Sequence, residues 1–256
     1  MIRLGVCTSV DRAACLKEAG FDYIELSLSS IAALSSEAFE ALLHEVQASP
    51  LPVEAANSMM PGTYQICRKE GLGEDVVQYL EKAFDRAAKL GVKVIVFGAG
   101  AARRVPEDMS LEDGLRCLET FLRTAGALAD EKGLKIAVEP LRAAETNIIH
   151  YVREAQMLAA RVQLPNVGAL ADLYHMMSGN DSYEDMKAGL VHCHIAERKE
   201  RTWPRCGDGS EADYEALFSA RKAAGYEGRV SIEGSMPENF AESACASFRL
   251  LDALRR

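Results

Sequence analysis

The sequence has no Cys-x-x-Cys pair, no continuous apolar run of the roughly 18 residues a membrane span needs, and no Gly-x-Gly-x-x-Gly after a strand-like segment. Each absence removes a class of function. The seven cysteines (Cys7, Cys15, Cys67, Cys117, Cys193, Cys206 and Cys245) are odd in number and unpaired by motif, so reduced thiols in a cytoplasmic setting are expected. Without an apolar span, and with an N-terminal "MIRLGVCTSVDRAA" that lacks an extended apolar stretch, neither a membrane anchor nor a secretory leader is expected. A dinucleotide site loses its main sequence support. Positive charge is also scarce: Lys and Arg total 29 against 38 Asp and Glu, a net charge of -9. A nucleic-acid partner normally demands a basic face, so none is expected, although one local cation could still bind a small anion.

What is present is a regular alternation. The chain has 256 residues, 48% of them hydrophobic, enough for a large core without disulfides. Short apolar runs at 2–8, 21–28, 52–57, 92–100, 134–139, 166–171, 190–196 and 229–233 predict strands. Between them lie amphipathic stretches. One runs through "DRAACLKEAG", others over 35–48, 74–90, 147–161, 211–224 and 238–254, with a short helical piece near 182–188. Over 74–90 the apolar residues Val76, Val77, Leu80, Phe84, Ala87 and Ala88 recur at helical spacing; Leu111, Leu115, Leu118, Leu122 and Ala125 form a second such face. Glycines in "EAGFDY", "KLGVKV" and "AAGYEG" mark helix ends before strands. Eight strand–helix units in this length suit a closed (β/α)₈ TIM barrel of class α/β, with an open doubly wound sheet as the alternative. No Pro- or Ser-rich linker divides the chain, so residues 1–256 are expected to form a single domain.

In such a barrel the site lies at the C-terminal ends of the strands. The fifth predicted strand, within "LKIAVEPL", ends on Glu139, and the following proline cannot extend the ladder. The sixth, "VGALADLYH", offers Asp172 and His175. The seventh, "LVHCHIAE", offers His192 and His194, and the eighth, "RVSIEG", offers Glu233. Alternation puts His192 and His194 on one face with Cys193 opposite, and His194 nearer the rim. A lone carboxylate at a strand end is commonly a helix cap or a rim ion pair. Four ligand-type groups on consecutive strands, all at the same end, are hard to produce independently. Three carboxylates cannot share a small cavity without a positive charge, because each raises the pKa of the others. Glu139, Asp172, His194 and Glu233 are therefore predicted to hold one divalent cation. Oxygen-rich ligation with one imidazole suits Mn²⁺ first, with Mg²⁺ or Co²⁺ as options.

The ordered set "VEPL", "ETN", "ADLYH", "VHCHIAE" and "SIEG" resembles the sugar phosphate isomerase/epimerase family with its xylose-isomerase-like TIM barrel, and within it the ketose 3-epimerases of the tagatose/psicose type. The likeness spans most of the chain and is dense from 134 to 234. It implies a metal-dependent isomerase acting on a small carbohydrate, with Glu139 and Glu233 as paired acid/base carboxylates around an enediolate. It also implies substrate contacts for Glu145, His175 and Arg201, with Arg198 in the same loop as the competing choice for the last. A homo-oligomer is expected on the same footing. Arg103 and Arg104, in "FGAGAARRVPE", are read either as rim salt bridges or as a clamp for an anionic group on the substrate. An aldose–ketose or hydroxypyruvate-type isomerase and an inosose-type dehydratase remain alternatives. A sugar-binding module without catalysis would be favoured by loss of a glutamate, and both are present. A repair endonuclease of the same superfamily would need more than the five histidines found here.

Overall fold

The structure, a computed structural model, describes residues 2–186 and 189–256. Eight strands, β1 (Arg3–Cys7), β2 (Tyr23–Ser27), β3 (Val53–Asn57), β4 (Val94–Phe97), β5 (Lys135–Val138), β6 (Val167–Asp172), β7 (Leu190–Ile195) and β8 (Arg229–Ile232), pair in sequence order into a closed barrel. All neighbours are parallel, and β1 closes on β8 with Leu4 opposite Val230 and Val6 opposite Ile232. The expected barrel is thus present, and the open sheet is excluded by the β1–β8 ladder.

Helices α1 (Ala13–Ala19), α2 (Leu28–Ala33), α3 (Ser36–Ala48), α4 (Glu74–Lys89), α5 (Leu111–Asp130), α6 (Val152–Val162), α7 (Leu173–Gly179), α8 (Glu211–Ala223) and α9 (Phe240–Leu254) connect the strands. Their buried stripes follow the apolar spacing. In α4, Val76, Leu80, Phe84 and Ala87 are buried; in α5, Leu118, Phe121, Leu122 and Ala125 are. Phe121 packs on Phe97 of β4 with ring centroids 4.9 Å apart. Each such large side chain contributes about 1.5–3 kcal/mol by leaving water. Gly20, Gly91 and Gly225, which close three helices before strands, all have positive φ, as the sequence pattern requires.

Inside the barrel a smaller cluster of Tyr23, Ala55, Val94, Val96, Ala137 and Leu170 fills the lower part. Tyr23 fits because its neighbour in β1 is Gly5, where a Cβ would fall 2.3 Å from the tyrosine ring. Cys193 packs instead with the outer core, facing away from the barrel axis as alternation predicts.

Several boundaries differ from the sequence expectation. The helix expected from 147 begins at Val152, because Glu154 Oε2 accepts from the backbone N–H of His150 (2.6 Å) and fixes the first turn there. Asn147 is held outside the helix by side-chain bonds to both the N–H and the C=O of Val105 (2.9 and 2.8 Å). Strand β4 stops at Phe97, since Ala99 takes a positive φ and turns the chain. The helical piece near 182–188 is a 3₁₀ turn at Tyr183–Asp185; its last two positions, 187 and 188, lie outside the described residues. Among the described residues no helix is long and apolar enough to cross a membrane.

Candidate metal and active site at the barrel mouth

The four predicted ligands are set by the ends of four adjacent strands. Glu139 follows β5 directly, and its N–H still donates to Phe97 O (3.1 Å), so the ladder fixes its direction. Asp172 ends β6 and at once caps α7, its Oδ1 accepting from Tyr174 N (2.8 Å). His194 lies opposite Asp172 in the β6–β7 ladder. Glu233 follows β8, with its N–H on Ile195 O (3.1 Å).

Ligand atoms of Glu139, Asp172, His194 and Glu233 all lie within 4.8 Å of one another. His194 Nδ1 is 3.4 Å from Glu139 Oε1 and 3.2 Å from Glu233 Oε2. Two of these atoms, His194 Nδ1 and Glu139 Oε1, are buried without a hydrogen-bond partner. Such atoms are costly unless something coordinates them. A divalent cation fits this donor set: three carboxylates and one imidazole nitrogen that has no hydrogen-bond partner and can give up its proton to a metal. Gly98, at the start of the glycine-rich turn after β4, makes room for the arrangement, since a Cβ there would fall 2.3 Å from Glu139 Oε2.

The electrostatics agree with a site built for positive charge. Burial pushes the Glu139 pKa up, with Glu233 and Asp172 adding to the rise against His194. Burial would raise Glu233 as well, but His194 and Arg201 prevail and hold it at about 2. For His194, burial opposes the charged form, yet Glu233 and Glu25 lift its pKa well above the ordinary imidazole value.

His194 is held from behind. Its Nε2 meets Glu25 Oε1 at 3.0 Å, while Glu25 Oε2 takes His192 Nε2 at 2.8 Å. Ser231 Oγ donates to the same Oε2, and Tyr23 OH donates to Ser231 (2.7 Å). A carboxylate on the far nitrogen is the usual partner of a metal-ligating histidine, fixing its tautomer and its basicity. Burial works against the Glu25 charge, but His194 and His192 override it and lower the pKa. Glu25 was not assigned from sequence. Its parity with Tyr23 on β2 was legible, whereas its partners lie 167 and 169 positions away. The β2–β3 pairing also slips between Ile24 and Glu25, an irregularity of the kind that re-aims a side chain. Asn57, likewise missed, donates to Glu233 Oε1 (2.8 Å) from the end of β3.

The remaining candidates divide. Arg201 reaches the centre: its Nη2 pairs with Asp172 Oδ2 (3.2 Å) and with Glu233, and its guanidinium stacks 4.8 Å over Tyr174. Arg198 instead lies near Asp213 (3.9 Å), away from the ligands. His175 is buried, with Nε2 3.5 Å from Asp172 Oδ2 and Nδ1 3.9 Å from Glu145 Oε1. Glu145 is also paired with Arg142 (2.6 Å), which bonds Tyr174 OH (2.7 Å) as well. Arg103 and Arg104 part ways. Arg103 is fully buried and donates to the carbonyls of Glu139 (2.7 Å), Ile149 (3.3 Å) and Phe97 (3.4 Å), so its guanidinium is a strut beneath Glu139, out of reach of a substrate anion. Arg104 is exposed and donates to Glu145 O (3.1 Å).

Comparison with known proteins agrees with the barrel fold. A family model described as xylose isomerase-like TIM barrel matches residues 13–253. The chain is 27% identical over 229 residues to the 3-dehydro-D-guloside 4-epimerase of Escherichia coli K12, covering 86% of this chain and 84% of the relative. It is 24% identical over 221 residues to the ketose 3-epimerase of Arthrobacter globiformis, covering 85% and 74%. Among solved structures, D-allulose 3-epimerase from Methylomonas sp. in complex with D-allulose superposes with a TM-score of 0.81 at 19% identity, over 98% of this chain and 96% of that one.

Proposed function

The chain belongs to the xylose isomerase-like TIM barrel family, and from that premise we propose that it is a divalent-metal-dependent sugar epimerase. The reaction is inversion at a carbon next to a sugar ketone, with 3-epimerisation of a ketose as the leading form. The observation that carries this reading is the pair Glu139 and Glu233, which approach His194 Nδ1 from the two ends of the four-strand arc. The two relatives described above are named as epimerases, one at carbon 3 of a ketose and one at carbon 4 of a dehydro sugar. A ketone next to the inverted carbon is common to both.

Glu139, Asp172, His194 and Glu233 would hold the cation, Mn²⁺ first and Mg²⁺ or Co²⁺ as options. When bound it supplies Lewis-acid polarisation of the carbonyl, which makes the neighbouring C–H acidic enough to ionise. One glutamate removes the proton from one face of the carbon and the other delivers a proton to the opposite face; their roles exchange in reverse. Arg201 and His175 place donors at the same opening and orient the substrate oxygens, and Glu145 is positioned beside them by Arg142. Arg103 and Gly98 hold Glu139 in place from below and beside it.

The test is proton exchange in D₂O. Metal-stripped protein is reloaded with Mn²⁺ for turnover and with Mg²⁺ for the spectra, then offered a panel of free ketoses and keto sugars. Deuterium should enter the carbon beside the ketone, and Glu139→Gln or Glu233→Gln should slow this by roughly 10²–10⁴-fold. If either variant exchanges at the wild-type rate, the acid–base assignment is wrong. Exchange that survives complete metal removal would sink the cation.

A further inference from the structure

A cavity of about 730 Å³ opens on the other side of the mouth, between the ends of β1, β2 and β3 and the helices α2 and α3. Its floor is shared with the metal site. Cys7, Glu25 and Asn57 line it; Cys7 lies in one cluster with His194 and Glu233, Glu25 bonds His194, and Asn57 bonds Glu233. A molecule held at the cluster can therefore extend into this space without leaving the protein surface.

The chemistry of the walls is lopsided. Val10, Leu26, Ile31, Leu34 and Leu42, with Ala38 and Ala41, form a continuous aliphatic side. No Lys, Arg or His lines the cavity, whereas Asp11, Glu25 and Glu45 do. A phosphate or carboxylate held on this wall would meet Asp11 and Glu45 and no cation among the lining residues, since the Glu25 carboxylate is already taken by His192 and His194. A bare monosaccharide carries hydroxyls around its ring, and hydroxyls pressed on an aliphatic wall lose water without gaining partners. The volume also falls in the range of roughly 300–1,000 Å³ that buries a drug-sized molecule, beyond what a single sugar fills.

We propose that this cavity receives a neutral, apolar group attached to the sugar, so that the substrate is a keto sugar in glycosidic linkage to an apolar aglycone. This rests on the epimerase reading for the sugar end and names the class of molecule that the site takes. The sugar ring sits at the ligands and Arg201. The aglycone lies on Leu26, Ile31, Leu34 and Leu42, and the serines at the rim (Ser9, Ser27, Ser30 and Ser58) meet whatever polar atoms join the two.

The experiment compares methyl and phenyl 3-keto-β-D-glucopyranoside on the Mg²⁺-loaded full chain, by calorimetry for affinity and by deuterium entry for turnover. Burying a phenyl-sized group should tighten binding roughly ten- to hundredfold over methyl. Filling the cavity from its exposed helical wall, with Ala41→Trp and separately Ala38→Phe, should abolish that gain and leave the methyl compound unchanged. Equal affinities for the two compounds would overturn the inference, while deuterium entering either would leave the epimerase reading standing. Tighter phenyl binding with no deuterium entry would do the reverse. Tighter binding of a phosphorylated ketose than of either glucoside overturns it too. So would a change of oligomeric mass in the filled variants at constant phenyl affinity, which would give the wall to a second copy of the chain.

Discussion

The two halves of the barrel mouth are built on opposite plans. Around β5 to β8, many of the polar groups near the opening are tied to another: Asp172 to Tyr174 N and Arg201, Glu233 to Arg201 and Asn57, Glu145 to Arg142, and the Glu139 backbone to Arg103. Around β1 to β3 one wall is aliphatic, serines and acidic residues complete the lining, and the space is open. Glu25, Asn57 and Cys7 reach from this half towards the candidate ligands. Under the proposed epimerase reading, the contrast would separate two tasks. Moving a proton demands groups held to within a fraction of an ångström, and this is met by cross-bracing in one half. Choosing a substrate demands shape and polarity, and on the same reading this would fall to the other half, where most side chains lie apart from the candidate ligands.

The strongest test of the braced half is Arg103→Met. The substitution keeps an apolar stem but leaves the carbonyls of Phe97, Glu139 and Ile149 without their donor. A buried acceptor left unpaired costs about 1–3 kcal/mol, and burying the guanidinium had a cost of its own, so a net loss of about 2–3 kcal/mol is expected in urea denaturation. Burial already pulls the Arg103 pKa down to about 10, against Glu139 and Glu145, which is the sign of that opposing cost. An unchanged midpoint would mean that the two effects cancel and that Glu139 needs no strut.

The next test crosses between the halves. Glu25→Gln keeps the shape of the side chain but removes the charge that faces His192 and His194. Outer partners of this kind are worth about 10–100-fold in metal affinity. That loss should appear in competition with a metal indicator, with thermal stability of the metal-free protein measured alongside. Wild-type affinity in the variant would confine the metal site to β5–β8 and make the comparison between the halves complete.

How much of this the sequence disclosed follows the same division. The candidate ligands Glu139, Asp172 and Glu233 were legible because each sits at a strand end, next to a proline, a helix start or a glycine, and His194 was legible from its alternation along β7. The barrel was legible from eight repeats of one pattern. The helices α2 and α7 were not, because each begins on the residue after its strand: Ser27 and Asp172 end a strand and cap a helix at once, leaving no loop signal between. Glu25 was illegible for another reason. Nothing local distinguishes an inward carboxylate within "YIELS" from one facing solvent, and its partners are supplied by β7 and β8 only after closure. The adjacent arginines show the limit of reading composition. "ARRV" looks like one basic patch, but a helical-type turn after Ala99 sends one side chain inward and the other out.

Those two arginines give the smallest expected effect and the finest control. Arg104→Met removes the same chemical group one residue along, from a position that is exposed and bonded to a single carbonyl, Glu145 O. Surface changes of this sort fall near zero, so the melting temperature should move by no more than about 1–2 °C, with metal affinity unchanged. If the site takes a neutral substrate, the KM should also stay at the wild-type value. A stability loss equal to that of Arg103→Met would show that the whole connection after β4, and not one buried guanidinium, supports Glu139. A rise in KM confined to anionic sugars would instead put a charge-reading group on the braced half, and the division between chemistry on one side and selection on the other would no longer hold.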